Sequence, residues 1–380
     1  MQHSLLTKFQ GTLLGAVLGN HLGYYFEYQQ TEKERKNYKI LINKHKFYAL
    51  DLDKQNLQKW GEITANCANS LIRNQEFNQE DWQKVYGEWQ DNWNNKKDQS
   101  GKTNQVKYSQ KKAEKFPEIF DNKLLDLHYI DKDDVFYPTA SNAVIASLPV
   151  TLLYHEDELK LEKKLQQWGK VWQNYSDINP SNLVIGYLIA QALTEQLDTQ
   201  TIIAKIIDYI GEKEPLVRQL RQVEQLIDQG ANLDTAITQL SKNVKSFSRQ
   251  QIFPEQQENS ISCDFFIPIC LALYCFLSTP EDLSLAILRA ARTKWATQIC
   301  SIVGTLSGAY NSTAGIPVEW RQKMGGELLG INEAEIMKLA KKLWAVWCGV
   351  YDPNNMTQNI VPAVAASNVI RPRPRKASGY

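Results

Sequence analysis

Residues 9–27 read FQGTLLGAVLGNHLGYYFE, and Gly11, Gly15, Gly19 and Gly23 recur every four residues along it. Four residues advance an α-helix by about one turn, so these glycines form a smooth stripe that drifts slowly around the axis. Each glycine in a helix interior costs up to ~1 kcal/mol relative to alanine. A helix carrying several must recover that through very close backbone packing. Ser301, Gly304 and Gly308, in CSIVGTLSGAY, make a second stripe of the same kind. Two readings stay open: a tight helix crossing within a core, or two crossed helices whose ends meet to frame a site.

Helical periodicity extends outward from these stripes. Apolar residues at i, i+3, i+4 spacing recur around 5–22, 60–73, 80–93, 157–173, 180–195, 200–210, 215–228, 264–277, 281–292, 296–310 and 333–349. No stretch alternates cleanly over strand length, so the expected class is all-α without a substantial sheet. Two helix starts are signalled: Thr279 as cap with Pro280, Glu281 and Asp282 following, and Asn332 as cap with Glu333 and Glu335 in the first turn. In DWQKVYGEWQDNW, tryptophans at i, i+7 and i+11 belong on a buried helix face, not on a nucleic-acid platform. Residues 94–116 are polar and lysine-rich and read as a mobile insertion. Residues 351–380 read as a flexible tail ending in RPRPRKASGY, with four basic side chains and no acidic one.

Composition narrows the function classes. Net charge is +1 over 380 residues, so nothing global points to nucleic acid or an acidic membrane surface. The longest apolar run, Phe265–Leu277, is too short to span a bilayer and suits a buried helix. The N-terminus lacks the basic start and small-residue cleavage site of a signal peptide, so the expected location is cytoplasmic. The six cysteines sit in or beside apolar stretches without a CxxC pair and read as small buried hydrophobes in a reducing compartment. The five histidines have no zinc-site spacing.

With these residues in view, the chain resembles the ADP-ribosylglycohydrolase family, which includes the lens protein J1-crystallin. The family's opening runs glycine, two or three apolars, glycine, Gly-Asp, Leu-Gly and a glutamate. Phe9–Glu27 is similar, with Gly19-Asn20 where the family has Gly-Asp and Glu27 on its glutamate. Phe266–Met324 resembles the family's apolar helix, acidic loop, metal motif, small-residue helix and Ile-Pro-x-x-Trp ending, in that order. Weaker matches are Trp60–Trp82 and Ala140–Tyr154. The resemblance implies a single orthogonal multi-helix domain over residues 1–350.

The resemblance also implies a chemistry: hydrolysis of an ADP-ribosyl glycosidic bond with two divalent cations, usually magnesium, held by two aspartate clusters. Hard cations require hard oxygen ligands. Anchored on the helices that follow them, the early cluster falls on Gln58, Lys59, Trp60 and Gly61. The late cluster falls on Thr293, Lys294, Trp295, Ala296, Thr297 and Gln298. The arginine of the third motif falls on Ala146 or Ser147. Every metal-ligand aspartate is replaced, and Glu27 is the family acid retained. The expected site is therefore a remodelled cleft of Asn20, Glu27, Lys59, Trp60, Lys294, Trp295, Thr297 and Gln298, without catalytic residues or magnesium. If the fold is kept, the two Lys-Trp pairs should converge near Glu27, with a lysine ammonium in place of metal charge.

The function expected on this basis is binding, of a protein partner (through residues 368–380 among other routes) or of a nucleotide-like ligand in the cleft. The alternatives are an active glycohydrolase with other ligands, for which Asp51, Asp53 and Glu62 lie near, and a structural or storage protein like J1-crystallin.

Overall fold

The computed structural model describes residues 3–28, 54–99, 139–172, 177–212, 216–241, 266–323 and 333–351. Among them are fourteen α-helices and no strand: α1 (Leu5–Tyr28), α2 (Lys54–Asn74), α3 (Gln79–Gln99), α4 (Ala140–Tyr154), α5 (Glu158–Trp168), α6 (Ile178–Leu193), α7 (Ile202–Ile210), α8 (Val217–Asp228), α9 (Leu233–Ser241), α10 (Ile267–Leu277), α11 (Leu283–Ala290), α12 (Ala296–Asn311), α13 (Val318–Lys323) and α14 (Glu333–Trp347). None of the described helices is long and apolar enough to cross a membrane.

The two small-residue stripes meet face to face. A Cβ built on Gly11 would lie 2.4 Å from the Gly308 carbonyl oxygen, one on Gly15 2.0 Å from that of Gly304, and one on Gly23 2.2 Å from that of Ala296. Each step up α1 matches a step down α12, so the helices run antiparallel with their backbones in contact. Any side chain on these rungs would occupy the space of the opposite main chain. Ser301 joins the contact by donating its hydroxyl to the Ala16 carbonyl, 3.0 Å away.

Around this pair the core is continuous. Every residue of α10 is buried, as an all-apolar helix requires. A second nucleus is aromatic: Trp82 stacks on Trp168 at 5.8 Å, and Trp172 donates its indole N–H to the Tyr86 hydroxyl at 2.9 Å. Tyr86 and Trp89 are buried with them, so the tryptophan-rich stretch is core as read from its spacing. Trp93 lies outside the described side chains. At the other end of α1, Lys8 is 3% exposed and its ammonium donates to the Ala192 carbonyl at 2.9 Å, closing the C-terminal end of α6.

Several expectations are corrected. Residues 94–99, read as insertion, continue α3, and the rest of the insertion lies outside the described residues. Thr279 does not cap a helix: its hydroxyl turns back to the Cys275 carbonyl at 3.0 Å. Asp282 caps α11 instead, with extended backbone and its carboxylate accepting from the Leu285 N–H at 2.9 Å. Asn332 lies outside the described residues. Cys67, Cys270, Cys275 and Cys300 are buried, but Cys348 is only partly so; Cys263 is not described.

Candidate functional site

The antiparallel glycine contact decides which ends meet: the C-terminal turn of α1 arrives at the N-terminus of α12. Glu27 is the next rung of the stripe after Gly23, at the point where α12 has run out. A side chain there has room, and its carboxylate turns onto the open helix end. Its Oε2 accepts from the Thr297 backbone N–H at 2.9 Å and from the Thr297 hydroxyl at 2.7 Å. Trp295, the residue before the helix, contributes no side-chain cap. Glu27 supplies both the hydrogen bonds and the negative charge that a helix N-terminus favours.

Lys294 stands beside this pair. Its ammonium lies 5.7 Å from the centroid of the Trp295 ring, within cation–π range. Partial burial pulls its pKa below the usual lysine value, and the Glu27 charge opposes that shift. Trp295 packs its ring against the core as a partly buried residue. Thr293 is buried and donates its hydroxyl to the Ala290 carbonyl at 2.6 Å. Gln298, on the first turn of α12, is partly exposed.

On α1, the Asn20 Oδ1 is buried with no hydrogen-bond partner among the described residues. Burial lowers the pKa of the neighbouring His21 to about 4, so its imidazole is neutral at pH 7. Behind the helix end, the Cys300 thiol is raised well above its ordinary pKa, first by burial and then by the Cys275 and Glu27 charges. It is inert there, a core residue.

The structure brings together Glu27, Thr297 and Lys294. Lys59 and Trp60 fall on α2, but their side chains lie outside the described residues, as do Asp51 and Asp53. Glu62 accepts the Trp89 indole N–H at 3.0 Å, which ties it to α3. Ala146 and Ser147, on the family's arginine position, are buried in α4. Among the described residues no three of histidine, cysteine, aspartate and glutamate gather into a group that could hold a metal ion. The Glu27–Thr297 bond was not anticipated. Its signal is the four-residue stripe itself, which places Glu27 one rung past Gly23.

The ADP-ribosylglycohydrolase family model matches residues 1–353. No curated protein matches the chain. A solved structure described as an ADP-ribosylglycohydrolase-related protein complex aligns with a TM-score of 0.47 at 14% identity, covering 90% of this chain and 99% of that one.

Proposed function

This chain belongs to the ADP-ribosylglycohydrolase family, and from that premise we propose that it works by binding rather than by hydrolysis. One observation carries the reading: the Glu27 carboxylate is committed to the α12 N-terminus, with the Lys294 charge acting on it. A magnesium ion needs several oxygen ligands around it, mostly carboxylates and water. Glu27 offers one carboxylate, one of whose oxygens already accepts two hydrogen bonds, and an ammonium competes for its charge. These residues do not fit a pair of magnesium ions. They suit a cleft that recognises rather than cleaves: the Gln298 amide, the Trp295 indole and the Lys294 ammonium belong to partly exposed residues, while the Asn20 Oδ1 and the His21 Nδ1 are buried. The ligand we assign to it is a protein segment or a nucleotide-like molecule, and we place the protein's work in the cytoplasm.

The test is an ADP-ribosyl hydrolysis assay on the full chain with magnesium or manganese. The expected result is no turnover above buffer. Turnover that EDTA abolishes would overturn the reading in favour of a hydrolase with ligands drawn from Asp51, Asp53 or Glu62.

A further inference from the structure

Upstream of Lys294 the chain turns two arginines toward α9 and α10. Helix α11 ends in a tightened turn: Arg292 donates its backbone N–H to the Arg289 carbonyl at 3.2 Å, and Thr293 to that of Ala290 at 3.0 Å. Residues three apart in such a turn lie nearly one above the other, so the two arginine side chains leave on one side. Both charges act on the same buried thiol, Cys275, and both Nε atoms are buried. The Arg289 guanidinium lies 5.3 Å from the centroid of the Tyr274 ring, and its Nη2 donates to the Tyr274 hydroxyl at 3.0 Å. That hydroxyl in turn donates to the Ala231 carbonyl. The Arg292 Nη2 donates to Asp234 at 2.9 Å, three residues past Ala231.

The charges at this turn do not balance. Like charges three residues apart repel. Asp234 is the described carboxylate within 4.0 Å of Arg292, and it is 74% exposed against 16% for the arginine. No described carboxylate lies within 4.0 Å of Arg289, which is itself partly buried. The Cys275 thiol supplies no charge: burial pushes it up to about 12 against the pull of both arginines, so it stays protonated at pH 7. Arg289 spends Nη2 on Tyr274, while its Nη1 is neither buried nor bonded to a described residue. The tyrosine fixes the guanidinium plane beneath that donor, so little ordering is left to do when an acceptor arrives.

Two guanidiniums on one side, one of them without a counter-charge, call for an anion with several oxygens. A phosphoryl group carries nearly two charges at neutral pH and three acceptor oxygens, so it can take donors from both arginines at once. A carboxylate brings a single charge, and Arg292 already holds one.

We propose that Arg289 and Arg292 form a binding site for a phosphoryl oxyanion, with Tyr274 holding Arg289 in place and Asp234 as the internal carboxylate that the ligand displaces. This stands independently of how the α1–α12 cleft is read.

Thermal melts of the full chain in low-millimolar inorganic phosphate test this, with chloride at matched ionic strength as the control. That range lies below the one in which phosphate stabilises proteins by exclusion from their surface. The expected result is a saturable rise in Tm with phosphate alone. Arg289→Gln should weaken the apparent affinity by about tenfold or more, as loss of a hydrogen bond to a charged group does. Asp234→Asn should strengthen it by about threefold, because the competing exposed carboxylate is gone. This second variant decides the matter even if the first does not fold. O-phosphoserine run beside inorganic phosphate separates the sources: the tighter of the two identifies the ligand as a phosphate ester or the free ion. The proposal is overturned if phosphate and chloride act alike, if Arg289→Gln titrates as the wild-type chain does, or if Asp234→Asn binds no more tightly than wild type.

Discussion

Glu27 caps a helix that begins 269 residues after it: its carboxylate holds the backbone N–H and the hydroxyl of Thr297 at 2.9 and 2.7 Å. The contact lies at the end of the glycine stripe and locks the register of α1 on α12. Glu27→Ala should therefore destabilise the protein by about 1–2 kcal/mol, as loss of a side-chain cap does. Thr297→Val, which keeps the N–H, should cost less. The double variant should fall short of the sum, since both changes remove one interaction. Denaturant melts of the four proteins measure this; strict additivity would show that the two residues are not coupled.

The glycine contact gives a sharper contrast. Gly15→Ala places a methyl 2.0 Å from the Gly304 carbonyl oxygen, main chain against main chain, with nothing flexible to yield. The expected loss is about 3 kcal/mol or more, by overpacking that forces the helices apart. Gly87, within α3, has nothing within 4 Å of a built Cβ. Gly87→Ala should stabilise by up to ~1 kcal/mol through helix propensity alone. Thermal melts of the pair read opposite signs, and equal effects would remove the argument.

What the sequence discloses follows from the same physics. The stripes were legible because glycine every four residues has few uses in a helix other than close approach. Helix α4 was not legible from periodicity. Its residues are apolar on every side, so no stripe marks a face, and Pro149 interrupts its interior. The start of α11 was misplaced because Thr279-Pro280 and Asp282 are both valid cap signals three residues apart. The preceding helix claims the Thr279 hydroxyl and leaves Asp282 the role. The retained acid and the helix-end threonine were visible one by one, as family positions. Their bond was not, because it depends on which rung of α1 overhangs the end of α12.

Acidification should weaken the fold between about pH 6.5 and pH 4. His155 is 3% exposed, against Phe9 and Trp347, and burial lowers its pKa to about 4, with Lys8 adding to the shift and the Leu152 carbonyl opposing it. His21 is lowered to about 4 as well. Both bind protons more readily unfolded, so their contribution is full above the unfolded value and is lost as pH falls toward 4. Asp177, raised to about 6 by burial, acts in the opposite direction: its burden on the fold lessens as pH falls through 6. Two histidines outweigh one aspartate, and the net slope is loss. His155→Phe should flatten the pH dependence of stability in that window, by a few kcal/mol at most. An unchanged slope would show that His155 is not the group responsible.

The last prediction concerns the charge beside Glu27. In the wild-type chain Lys294 acts on that carboxylate, so millimolar magnesium should leave Tm unchanged, because an ion that does not bind the native state cannot shift the folding equilibrium. Lys294→Glu replaces the ammonium with a second carboxylate facing the first. Without metal, the variant should lose stability through like-charge repulsion. The loss should be modest because the site is partly exposed, and it should shrink as salt is raised. With magnesium or calcium, the two carboxylates gain a shared counter-ion, and Tm should recover in a concentration-dependent way that EDTA reverses. Sodium at matched ionic strength separates binding from screening. If the variant responds equally to sodium and magnesium, the carboxylates do not converge on one ion and Lys294 does not stand in a cation's place. If the wild-type chain already gains Tm with magnesium, ligands beyond Glu27 are present, and the binding-only reading of the cleft is wrong.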